Sequence, residues 1–191
     1  MSNHLKAATH NGQNEQQRGF LSVELGLVLL VAAILTAGAV VLFNNNLRQT
    51  SISDNVQDIQ TIAGAAKANF GAKNQYGVVT TAVAVRAHLI PDALRDGQAA
   101  TATNKFGGAI TVAPANGTGT NDMLALTWPN VPAIQCFELV NGVNSAMRRI
   151  TVGATVVKAL DGTLNQTTLT TACETNTSDG NVQLVFDIGR S

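Results

Sequence analysis

Residues 20–43 read FLSVELGLVLLVAAILTAGAVVLF, an apolar run interrupted only by Ser22, Glu24 and Thr36. As a helix rising ~1.5 Å per residue it would be roughly 36 Å long, enough to cross the ~30 Å hydrocarbon core of a bilayer. A secretory signal would place a basic start before a shorter apolar stretch and a small-residue cleavage site after it. Here the cleavage candidate, Arg18-Gly19, precedes the apolar run. Cutting there removes a polar leader, residues 1–19, and leaves a membrane helix that begins at Phe20.

Glu24 needs its own explanation. A carboxylate costs about 2.5–3.5 kcal/mol at mid-membrane and less near the interface. One reading is an interfacial acid near a helix start, where the macrodipole favours it. The other is an acid awaiting a cation, and the nearest candidate is the α-ammonium that cleavage would create at Phe20.

Gly19-Phe20-Leu21-Ser22-Val23-Glu24-Leu25, followed by the apolar run, resembles the processing site of type IV pilins and pseudopilins. The resemblance implies that a membrane prepilin peptidase cleaves after Gly19 and methylates the amine of Phe20. It also implies that Glu24 pairs with a neighbouring subunit's N-terminus during assembly.

Helical periodicity resumes beyond Asn44-Asn45-Asn46. Leu47, Ile52, Val56, Ile59, Ile62, Ala63, Ala66 and Phe70 recur at steps mostly of three or four, with Asp54, Gln57, Asp58 and Gln60 between them. This predicts one nearly continuous helix over 20–70, ended by Gly71. Its first part suits lipid and its second is amphipathic. Residues 80–88 read as a short helix and 92–95 as a further turn. The strands predicted are 109–112, 123–127, 136–140, 154–157 and 182–188, with a helix over 144–150. The amphipathic half of the long helix needs a cover, and an antiparallel sheet supplies one. The predicted fold is therefore α+β, a long N-terminal helix on a C-terminal antiparallel sheet, with residues 72–191 as a globular head.

Cys136 and Cys173 are the only cysteines. Behind a membrane segment they lie outside the cytoplasm, where one bridge between them is the simple reading and two buried thiols the alternative. Leu89-Ile90-Pro91, Asn104-Lys105-Phe106-Gly107-Gly108-Ala109-Ile110-Thr111-Val112 and Val131-Pro132-Ala133-Ile134-Gln135-Cys136 are similar to the type IVb class, which includes pilins of thin conjugative and enteric colonisation pili. The shorter leader and Phe20 as first residue depart from that class.

Composition excludes several functions. Formal net charge is zero with no basic cluster in the sequence, which argues against nucleic acid as a main partner. Phe106-Gly107-Gly108 lacks the lysine and hydroxyl residue of a phosphate loop and reads as a turn into a strand. Once the leader is gone His88 is the one histidine, Asp54 and Asp58 read as a solvated helix face, and neither cysteine has metal spacing. No catalytic constellation, cofactor or metal is expected.

The expected function is a structural subunit, the major pilin, of a type IV pilus; the alternatives are a minor pilin or type II secretion pseudopilin, or an unpolymerised single-pass membrane-anchored binding domain. Its expected partners are identical subunits, the prepilin peptidase, the inner-membrane assembly platform, the membrane itself and a host or recipient surface. The precursor is expected in the inner membrane with its N-terminus cytoplasmic, and the product in an extracellular filament serving adhesion, aggregation, motility or mating contact.

Overall fold

The computed structural model describes residues 16–97, 99–175 and 177–190, with the side chains of residues 16–24 and 35–47 outside that description. It comprises two compact units, Met1–Leu47 and Arg48–Ser191. The helix α1, Gln16–Ala66, supplies the described part of the first and enters the second. It gives way to one π-helical turn, Lys67–Gly71, where the sequence places its end.

Within the second unit, Ile52, Asn55, Ile59, Ile62, Ala63 and Ala66 are buried, the three-four spacing that puts one stripe of α1 inward. The stripe lies against one hydrophobic core shared with the sheet and the later helices. The short helix α2, Thr81–Arg86, starts where Thr80 Oγ1 accepts the Val83 N–H at 3.3 Å, and buries Ala84 and Val85. A 3₁₀ turn follows at Asp92–Leu94.

Five strands form one antiparallel sheet in the order β1-β2-β5-β3-β4. They are β1 Thr111–Ala115, β2 Met123–Pro132, β3 Arg149–Val152, β4 Thr155–Lys158 and β5 Asn181–Gly189. The last strand lies at the centre, pairing Thr127 with Val185 on one side and Arg149 with Asp187 on the other. A register shift between Trp128 and Val131 accommodates Pro129 and Asn130, whose φ is 60°.

Two segments differ from the sequence reading. Residues 136–140, expected as a strand, lie inside helix α3, Ala133–Val143. Cys136, Leu139, Val140 and Val143 are buried there, a helical period visible only over a longer window than Cys-Phe-Glu-Leu-Val. The helix expected over 144–150 shrinks to a 3₁₀ turn, Asn144–Ala146, followed by β3. Ile150 and Val152 face inward alternately with Arg149 and Thr151, and Gly153 at φ 59° turns the chain into β4. Helix α4, Gln166–Thr175, was not foreseen. Its interior face is only Leu169, Ala172 and Cys173. Its start is set by Asn165, whose Oδ1 accepts the Thr168 N–H at 3.0 Å.

Candidate functional site

Gly19, Phe20 and Glu24 are carried on α1 but their surroundings lie outside the description, as does the leader up to residue 15. Of the apolar run, residues 25–34 are described, and all ten are exposed. Leu25 is 63% exposed, Leu27 65%, Val28 59%, Leu29 62%, Leu30 60% and Ile34 64%. Successive residues point around the whole circumference of a helix. Among the described residues 25–34, the exposure therefore falls on every face of the helix. Among the described residues no helix is long and apolar enough to cross a membrane.

Cys136 and Cys173 are joined in a disulfide with Cα atoms 5.8 Å apart. It ties α3 to α4 across the β3–β4 hairpin, and both half-cystines are buried. On the outer side of this link, Ile134 is 70% and Phe137 40% exposed, beside Thr170 and Glu174. The α3 helix meets α1 closely: a Cβ on Gly142 would stand 2.6 Å from Val56 Cγ2. Gln60 Nε2 donates to the Gly142 carbonyl at 2.9 Å, and Arg48 reaches Glu138 at 3.5 Å on the half-exposed rim.

Three polar anchors escaped the sequence reading. Buried Asn55 accepts the Trp128 Nε1–H at 3.1 Å and donates to the Ser51 carbonyl at 2.8 Å, joining α1 to the sheet. Its place in the apolar repeat was the available signal. Buried Asn104 accepts the N–H groups of Phe106 and Gly108, each at 2.9 Å, and donates to the Pro129 carbonyl at 2.7 Å. This organises the turn at Gly107, φ 76°, and seats it on the irregular part of β2. From the same turn, Lys105 Nζ reaches Asp54 and Asp58 at 3.2 Å each. The two acids are thus a docking point for the loop rather than a merely solvated face.

Charge elsewhere is locally matched. Asp122 accepts the N–H groups of Gly117, Thr118 and Gly119, which lowers its pKa to about 2, the Gly117 bond contributing most. Asp187, at the buried centre of β5, is raised by burial and partly restored by its partner Arg149. His88 is exposed, 3.9 Å from Asp92. Among the described residues there is no cluster of three or more His, Cys, Asp or Glu able to hold a metal. The arrangement offers contact surfaces and an uncovered apolar helix.

The family described as PilS N terminal matches residues 49–187. The major structural subunit of bundle-forming pilus from Escherichia coli O127:H6 (strain E2348/69 / EPEC) is 25% identical over 100 residues, 52% of this chain and 52% of that protein. The chain thus spans about half the length of the curated relatives it matches. The crystal structure of the type IVb pilin from Salmonella typhi superposes with TM-score 0.56 at 22% identity, covering 72% of this chain and 99% of that one. TcpA, a type IV pilin from Vibrio cholerae El Tor biotype, gives TM-score 0.52 at 17% identity, with 72% and 98% covered. These structural likenesses establish the fold: a helix packed on a five-stranded antiparallel sheet in the type IV pilin manner. The match over residues 49–187 establishes the family: this chain belongs to the family described as PilS N terminal, with the fold of the type IV pilins.

Proposed function

We propose that the chain is a structural subunit of a type IV pilus, made as a membrane precursor and polymerised into an extracellular filament. The observation that carries this reading is the exposure of every described side chain over residues 25–34. Each large apolar side chain left in water forfeits about 1.5–3 kcal/mol, so a segment of this kind requires lipid or other helices around it. Lipid covers it in the precursor, and identical helices cover it in the filament core.

In this scheme residues 1–19 are the leader, 20–71 the helix and 72–191 the head. The prepilin peptidase cuts between Gly19 and Phe20 and methylates the new amine. Glu24 then meets the Phe20 ammonium of a neighbouring subunit at the assembly platform. The head, clamped by the disulfide, forms the filament surface for adhesion, aggregation, motility or mating contact.

Electron microscopy of cells with and without this chain tests the reading. Filaments should vanish when the chain is removed and return when it is resupplied. Equal filament numbers in its absence would reject it.

A further inference from the structure

Among the described residues, the basic side chains without an ion pair are Lys67, Lys73, Arg86, Lys158 and Arg190. Three of them, Lys67, Lys158 and Arg190, line one cleft of about 410 Å³ together with Arg148. Asp161 is the one carboxylate in its walls. Four cations against one acid leave a local excess near +3, in a chain whose formal net charge is zero. The fold assembles this excess from separate places: the π-helical turn, the residue before β3, the end of β4 and the residue after β5.

The cations are positioned rather than left to sample solvent. Lys67 Nζ donates to the Ala146 carbonyl at 3.0 Å. Lys158 Nζ donates to the carbonyls of Asn144 and Met147 at 2.7 and 2.8 Å. Arg148 Nε donates to Asp161 Oδ1 at 2.7 Å, and its Nη2 to the other oxygen. An ammonium has three donors and a guanidinium five, so each of these groups keeps donors unused. Arg190 makes no hydrogen bond or ion pair among the described residues. Burial pushes the Lys158 ammonium below its ordinary pKa; Asp161 opposes this, and repulsion from Lys67 adds to it. An anion in the cleft would relieve that repulsion and use the spare donors.

We propose that this cleft binds a phosphate group, either as free inorganic phosphate or as the monoester of a sugar. A phosphate monoester carries about −1.5 to −2 charge and three acceptor oxygens, whereas a carboxylate offers one charge and two oxygens. The former matches the local excess more closely. The cleft is of small-molecule size, roughly 300–1,000 Å³, and larger than a phosphate group needs, so there is room for an attached sugar ring. The proposal does not depend on filament assembly.

The test is calorimetric titration of the full chain in detergent at low ionic strength, with inorganic phosphate, glucose 6-phosphate and glucose as probes. Both phosphates should bind saturably with one site per chain, and glucose should not. Arg190→Ala should weaken phosphate binding about tenfold, the size expected for one charge-assisted hydrogen bond. Arg190→Lys should restore part of the loss, and Lys73→Ala, outside the cleft, should change affinity less than about twofold, an effect of net charge alone. Equal affinity for the two phosphates would assign recognition to a free phosphate group, and tighter glucose 6-phosphate to a sugar-borne one. The proposal is overturned if neither phosphate binds saturably, or if Lys73→Ala and Arg190→Ala lose the same amount.

Discussion

The hydrogen bond from Trp128 to Asn55 satisfies two polar groups inside an otherwise apolar contact between α1 and the sheet. Removing one partner strands the other away from water. Asn55→Ala should therefore lower unfolding stability by about 2 kcal/mol, measured by denaturant titration. No change would mean that the indole finds another acceptor. Asp122 makes a pH-dependent counterpart at the surface. Its folded pKa of about 2 lies below its ordinary value of 3.8, so its contribution is complete above that ordinary value. The contribution is lost as pH falls through about 2. Asp122→Asn should flatten the thermal-unfolding midpoint across that window and leave the remaining acid dependence in place. An unchanged slope there would contradict the assignment.

At the scale of elements, legibility followed the length of each pattern. The inward stripe of α1 is long enough for its period to be unmistakable. The segment Cys136-Phe137-Glu138-Leu139-Val140 is short and rich in β-favouring residues, so it reads as a strand until Val143 extends its period. In α4 the pattern is fainter because threonines fill the outer face. Thr170, Thr171 and Thr175 donate their hydroxyls to carbonyls four residues back, which satisfies the hydroxyls without raising the weak intrinsic helix preference of the segment. The N-terminal motif lies in one contiguous stretch, so it is read from the sequence alone, and its side chains lie outside the described residues. The basic cleft was not, since Lys67, Arg148, Lys158 and Arg190 meet only through the order of the strands and the end of α1.

The disulfide stabilises this element pair from a sequence separation of 37. Loop-closure entropy for such a span is worth about 4 kcal/mol. The Cys136→Ser, Cys173→Ser double variant should unfold at lower temperature, with faster amide exchange in α4 and the β3–β4 hairpin. Identical melting of the two proteins would show that packing alone holds α3 to α4.

On the scale of the whole molecule, two parts have different needs: the core of the second unit is buried within itself, and the described apolar residues 25–34 are exposed. Glu24 is the proposed device that guides how the second is covered. Withdrawing an unpaired carboxylate from water costs several kcal/mol, and a neighbour's ammonium at Phe20 offsets this only in the correct register. Glu24→Ala should thus insert and be cleaved normally yet give few filaments by electron microscopy, and Glu24→Lys fewer still. Normal filament numbers from cleaved Glu24→Ala would show that apolar packing alone sets the register.

Polymerisation of the processed chain is tested by the intact mass of the principal protein in filaments sheared from cells. The subunit should comprise residues 20–191, with one methyl group on the Phe20 amine. A chain that retains residues 1–19 and stays with the cell membrane, absent from any sheared filament, would contradict it.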